Sequence, residues 1–195
     1  MVEQMKMDIR YDLSLEDLIA YTKYYMSHSE SVRFQISRSR WLISILAITA
    51  VLIISYLITN TIAAYTLLIA AIDGIVIFVI YPGLIRWKAL RATRRLYDDG
   101  KNKTVFGWHT MRIEEDGFVE VTALTEVRVK WDAIETIETS LGYTFIFLGS
   151  AIAHVIPHAK VTEGDLTAFI EELGRRYWVH SKLSDRAALS SGQIG

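Results

Sequence analysis

The apolar and polar positions fall into three regimes along the chain. From Met5 to Tyr11 ("MKMDIRY") they alternate strictly, with Met5, Met7, Ile9 and Tyr11 on one side and Lys6, Asp8 and Arg10 on the other, the period of a half-buried strand. "SLEDLIAYTKYYM" follows, in which Ser14 and Asp17 stand at capping-box spacing and Leu15, Leu18, Ile19, Tyr25 and Met26 recur at helical intervals. Polarity then almost vanishes: between Trp41 and Ile85, 45 residues carry one formal charge, Asp73.

A single helix of that length would reach about 67 Å, more than twice the roughly 30 Å hydrocarbon core of a bilayer, so the run must break. Thr59-Asn60-Thr61 is its one polar cluster, and a break there leaves spans of 18 residues (41–58) and 21 residues (61–81), a tight transmembrane hairpin. A soluble core helix keeps a polar stripe. Trp41–Ile58 offers only Ser44, Thr49, Ser55 and Tyr56, with no charge on any face. Arg33, Arg38 and Arg40 precede the first span, and Arg86, Lys88, Arg91, Arg94 and Arg95 follow the second, whereas the loop between them has no positive charge. The positive-inside rule then places both termini in the cytoplasm, with the hairpin in the cell membrane. Trp41, Tyr81 and Trp87 suit the inner interface, and Pro82-Gly83 marks the exit from the membrane.

Beyond Trp108 the runs shorten and alternate. Asp116-Gly117 forms a hairpin turn in "WHTMRIEEDGFVEVTA", "TEVRVKW" turns Val127, Val129 and Trp131 inward, and "AIETIET", "YTFIFLG" (after Gly142) and "AIAHVI" (closed by Pro157) complete about six strands. A last helix, "TEGDLTAFIEELGRRYW", has Thr162 and Asp165 at capping spacing and Leu166, Phe169, Ile170, Leu173 and Tyr177 on one face. The expected architecture is an α+β membrane protein: a two-helix hairpin and a cytoplasmic antiparallel β-sheet or partial barrel, closed by a C-terminal helix in a pleckstrin-homology-like outline. Its segments are an N-terminal strand and helix (1–40), the hairpin (41–81), a basic juxtamembrane linker helix (82–103), the β-domain (104–180) and a disordered tail (181–195).

Composition sharpens this division. The chain is 51% hydrophobic, and its net charge of −1 conceals a segregation. Residues 1–40 are balanced, at six basic and six acidic side chains; residues 86–103 carry seven basic against two acidic, and residues 104–195 carry eight against thirteen. A basic belt beside the apolar region suits an anionic inner leaflet, at about 1 kcal/mol per Lys or Arg. An acidic folded module argues against nucleic acid as a partner. With no cysteine, disulfides, thiolate metal sites and cysteine nucleophiles are excluded. No basic-then-apolar signal peptide opens the chain.

The segments "YDLSLEDLIAY" (Tyr11–Tyr21), "WDAIETI" (Trp131–Ile137) and "VIPHAKV" (Val155–Val161), in this order of strand, helix, hairpin, basic linker and β-domain, resemble the YcxB-like family of bacterial membrane proteins. The resemblance implies a C-terminal domain related to bacterial pleckstrin-homology folds. It implies no activity.

Candidate chemistry is sparse. His154 and His158 are four apart but straddle Pro157 at a strand end, so they share no helix face, and His109 alternates with Met111 and Ile113 as a half-buried strand residue. Glu114-Glu115-Asp116 and Glu171-Glu172 read as solvated runs, and no phosphate loop or nucleophile elbow is present. The chain therefore reads as a non-enzyme, with no catalytic residue, metal or cofactor. Asp73 lies about 18 Å into the second span, where a carboxylate costs at least about 2.5–3.5 kcal/mol. It and Asn60 are the intramembrane polar groups. Three outlets for Asp73 stand open: contact with a partner helix or a second copy through the small-residue patch Ala70, Ala71 and Gly74, a bond to a hairpin hydroxyl such as Thr49 or Ser55, or a proton or ion path. The expected function is a membrane-anchored interaction or regulatory protein whose partners are the bilayer, anionic headgroups, and a protein or its own copies. The alternatives are a small oligomeric transport or channel component using Asp73, or an immunity-type protein against a membrane-active toxin.

Overall fold

The computed structural model describes residues 7–98 and 105–190, with side chains to residue 97 and from 105 to 182. Met5 and Lys6, the end of the basic linker at 99–103 and the last five residues of the expected tail lie outside the described residues. The fold is α+β, with four α-helices and two antiparallel sheets among the described residues. It divides into two compact units, one of residues up to Tyr21 together with those from Leu96 onward, the other of Thr22–Arg95.

In the first unit, β1 (Asp8–Leu13) buries Ile9, Tyr11 and Leu13, the face the alternation predicts. It pairs along its length with β2 (Gly107–Ile113), which is followed by β3 (Gly117–Val121) and β4 (Glu126–Lys130). Its other edge takes β8 (Val161–Glu163), a short strand that local pattern did not predict, so the sheet order is β4-β3-β2-β1-β8. A second sheet has the order β5-β6-β7, from Thr136–Ser140, Tyr143–Phe147 and Ala153–Pro157. The two sheets do not close into a barrel.

Turn chemistry refines several expectations. Asp116-Gly117 does not form the centre of the β2–β3 turn: Glu114 N–H donates to the Gly117 carbonyl, Ile113 pairs with Phe118, and Gly117 already belongs to β3. Glycine is required there by close approach, since a Cβ would lie 1.8 Å from the Val129 carbonyl oxygen. The β5–β6 turn places Leu141 and Gly142 both at positive φ, the hairpin geometry that suits right-twisted strands. Val127 is 42% exposed on the edge strand β4, so of the three residues expected inward only Val129 and Trp131 are buried. Trp131 opens a 3-10 turn, Trp131–Ala133, and its indole N–H donates to the Glu115 carbonyl at 2.8 Å.

Helix α4 spans Leu166–Ser190. Its first turn is capped by Asp165, whose carboxylate accepts the Ala168 N–H at 3.0 Å, while Thr162, expected in a capping pair, instead donates to the Arg10 carbonyl. Phe169 and Leu173 are fully buried. Glu172 holds Arg175 and Arg176, and Arg176 reaches the Glu114 carbonyl at 2.9 Å, tying the helix to the β2–β3 turn. The expected disordered tail is corrected over 181–190, which continue this helix; helical hydrogen bonding persists past the apolar face that nucleates it.

The second unit holds the end of α1 (Leu15–His28) and two long helices, α2 (Glu30–Thr59) and α3 (Ala64–Asp98). The break falls where the polar cluster placed it: Asn60 adopts the left-handed conformation (φ 55°) and its N–H bonds the Tyr56 carbonyl, a C-cap that ends α2. Both helices outrun the predicted spans. α2 starts eleven residues before Trp41, behind the cap Ser29, and α3 passes through Pro82 and Gly83 to join the second span and the basic stretch in one helix. Thr66, Ala70 and Gly74, a stripe at four-residue spacing, are buried on α3, as is Ser44 on α2. A Cβ on Gly74 would sit 2.5 Å from Ile48 Cδ1, and Ser55 and Thr66 hydroxyls meet at 3.1 Å across the pair. Among large apolar side chains, Leu42, Leu46, Leu57, Ile58, Leu68, Ile75 and Val79 stay more than 60% exposed. Both helices are long and apolar enough to cross a membrane.

Candidate functional site

Two polar features stand out against their surroundings, one in each unit. The first lies between the sheets. In β2 and β3 a short turn pairs Met111 with Glu120 and Ile113 with Phe118, so His109, Met111 and Ile113 share a face with Phe118 and Glu120. Tyr11 of β1 pairs with His109 and stacks on its ring at 5.5 Å. Tyr11, His109 and Glu120 thus form a diagonal over three adjacent strands, all buried.

The Glu120 carboxylate takes three donors. Tyr11 donates its hydroxyl to Oε1 at 2.6 Å, His109 Nδ1 meets the same oxygen at 3.0 Å, and His154 Nδ1, from β7 in the other sheet, meets Oε2 at 2.6 Å. His109 Nε2 faces the Val105 carbonyl at 3.2 Å, so both ring nitrogens face oxygen atoms. Burial pushes the Glu120 carboxyl up, but hydrogen bonds from His109, His154 and Tyr11, together with the charge of His154, outweigh it and hold the group far below the usual carboxylate range. Burial, then the neighbouring carboxylate, push the Tyr11 phenol well above its usual value. The arrangement is a charge-assisted clasp between two sheets that are not joined by strand pairing.

A second clasp fixes the start of α1. Asp17, buried, accepts the Ser14 N–H at 2.8 Å, the Lys160 ammonium at 2.7 Å and the Tyr143 hydroxyl at 3.2 Å, while Lys160 also reaches Ser14 Oγ. The predicted capping pair is therefore present, and it is locked by a lysine 143 residues away. Tyr21 adds a bond from its hydroxyl to the Ala151 carbonyl at 2.9 Å.

The second polar feature is Asp73. It lies half-buried on α3 beside Gly74, and among the described residues it makes no hydrogen bond or ion pair. Neither hydroxyl expected to satisfy it does so: Thr49 Oγ1 bonds the Ile45 carbonyl of its own helix, and Ser55 bonds Thr66. Of the small-residue patch, Ala70 and Gly74 are consumed inside the hairpin and Ala71 alone is exposed. Asn60 is an exposed turn residue. Arg86, Lys88, Arg91, Arg94 and Arg95 are all exposed along α3, with Arg91 over the Trp87 ring at 5.1 Å and no carboxylate within ion-pair distance among the described residues.

The histidines differ from a metal pair in what they face: His154 turns to Glu120, and His158 Nε2 to the Thr144 hydroxyl at 2.9 Å. His109 is fully buried where a half-buried position was expected. The Glu120 centre was absent from the sequence reading, because a carboxylate between Val119 and Val121 reads as the solvent face of its strand. The signal that could have found it is parity. Any two-residue turn near Asp116 puts even-numbered β3 residues on the His109 face.

Residues 113–173, about a third of the chain, match the family model described as YcxB-like protein. The match begins at the end of β2 and stops in α4. No curated protein and no solved structure matches the chain.

Proposed function

We propose that this chain is a non-catalytic, membrane-anchored interaction or regulatory protein, in which α2 and α3 cross the cell membrane as a hairpin and a YcxB-like, pleckstrin-homology-like module is carried on its cytoplasmic side. One observation carries the reading: the two longest helices keep large apolar side chains exposed around most of their circumference, far beyond the few hundred Å² of apolar patch that a soluble monomer shows. The arginines at one end of the pair and the uncharged turn at Asn60 support cytoplasmic termini. The polar groups of the module are paired inside it, which supports a binding role for its surface over chemistry in its interior.

The absence of native cysteine makes the topology directly testable. Asn60→Cys is expected to react with an impermeant thiol reagent added outside intact cells, and Ser181→Cys only after permeabilisation. The opposite pattern would reverse the orientation, and release of the protein by alkaline extraction would remove the membrane reading.

A second reading, a small oligomeric transport or channel component, is favoured by Asp73, since a carboxylate with no partner among the described residues calls for one on another helix or in water. Asp73→Asn keeps the shape and removes the titrating proton. Loss of function with intact membrane oligomers would favour transport; unchanged function would favour anchoring.

A further inference from the structure

At the arginine-rich end of the hairpin the second unit contains a groove of about 540 Å³. α2 presents Arg33, Ser37 and Arg40 to it at helical spacing, α3 adds Pro82 and Arg86, and Phe34 contributes an apolar wall. Glu30 is the one acid on its rim, and none of the three guanidiniums pairs with a carboxylate among the described residues. Arg40 is held most firmly. Its guanidinium lies over the Phe78 ring at 4.3 Å, Phe78 is braced edge-on by Trp41 at 4.7 Å, and its Nε is buried with no hydrogen-bond partner. A buried guanidinium N–H without an acceptor is costly, and a planar guanidinium held over a ring at the wall of a groove is an oriented fork for a phosphate or carboxylate.

The groove's position selects among anions. Arg40 immediately precedes Trp41 and Arg86 follows Tyr81 and Pro82, the two points where the apolar runs begin and end, so the groove stands at headgroup depth while Leu42 and Ile45 lie exposed just above it. We infer that the groove formed by Arg33, Arg40 and Arg86 is a binding site for the phosphate of an anionic phospholipid, whose acyl chains lie along the exposed apolar face of the hairpin. This rests on the membrane reading above. It goes beyond it in assigning one lipid to one site, where the basic stretch after Tyr81 alone implies only diffuse attraction to a charged leaflet.

The test uses the full-length protein purified in detergent and titrated separately with dihexanoyl phosphatidylglycerol, dihexanoyl phosphatidylcholine and inorganic phosphate, with binding read by tryptophan fluorescence and thermal unfolding. Phosphatidylglycerol is expected to bind and stabilise at concentrations where the other two do not. Arg40→Gln should weaken that binding about tenfold, the loss of one charge-assisted contact, and Arg40→Lys should recover only part of it. Arg86→Gln, at an exposed position, gives the same direction if Arg40→Gln does not fold. The double change Arg94→Gln with Arg95→Gln, further along the same helix, should alter binding less than twofold. Equal loss in this control, equal response to phosphatidylcholine, or equal response to inorganic phosphate would each overturn the site, the last in favour of a free-anion site. Failure of the membrane reading shows separately, as release from native membranes by alkaline extraction.

Discussion

Glu120 carries more of the module's stability than its place in the sequence suggests. A buried carboxylate is tolerable only while its donors are in place, and here they come from three different strands in two sheets. Glu120→Ala would leave the Tyr11 hydroxyl and two histidine N–H groups buried without an acceptor. A loss of about 3–5 kcal/mol is expected in denaturant unfolding of the module, the range for breaking a buried pair. The pH dependence follows from the direction of the shift. A carboxyl held below its unfolded value stabilises the fold fully above the unfolded pKa of about 4.3, and that stability is lost as pH falls through and below it toward the folded value. The wild-type chain should therefore lose stability steeply below about pH 5, and Glu120→Gln should flatten that limb of the curve; an unchanged slope would show that other carboxyls govern acid unfolding. The alternation that made β1 and β2 legible hid this residue, because alternation says which residues share a face and not which face is inward.

Elements were the most legible scale. The apolar run became two long helices, the Thr-Asn-Thr cluster became the break between them and the spacing of α1 became a helix, since helix and turn formation depend on near neighbours. Their ends were less legible: α2, α3 and α4 each extend beyond the apolar stretch that signals them, because backbone hydrogen bonding continues through polar sequence. The glycines of α3 show how position changes meaning. A Cβ at Gly74 meets Ile48 at 2.5 Å, whereas at Gly83 it meets nothing within 4 Å. Gly74→Leu should force the helices apart, while Gly83→Ala should be neutral or stabilising by up to about 1 kcal/mol. The measurement is oxidative crosslinking of Ser55→Cys to Thr66→Cys, whose native hydroxyls are 3.1 Å apart. Crosslinking should fall several-fold with Gly74→Leu and persist with Gly83→Ala.

The first unit is organised around a strand that lies far from its neighbours in sequence. β1 sits between β2 and β8, and Asp17 just after it is locked by Lys160 and Tyr143. The matched segment 113–173 therefore lacks two inner strands of its own five-stranded sheet, β1 entirely and β2 but for Ile113. A fragment of residues 105–182 is expected to be unfolded or aggregated, because removing β1 exposes the edge of β2 and uncovers Met111 and His109. Joining residues 7–21 to it through a flexible linker should restore cooperative unfolding, as read by circular dichroism and amide-proton dispersion; a fragment that folds without β1 would refute this dependence. Period, hydropathy and charge along the chain determined the kinds of elements, the hairpin break and the basic end of the hairpin, since each is set by residues within a turn or two of one another. Only the tertiary structure decided that the N-terminal strand completes the C-terminal sheet, that Glu120 faces His154 across two sheets, that Thr66, Ala70 and Gly74 serve the hairpin itself, and that Arg33, Arg40 and Arg86 line one groove. Those pairings join groups tens to more than a hundred residues apart, and their energies come from burial and complementary charge after the chain has closed on itself, a condition that no local window of sequence contains.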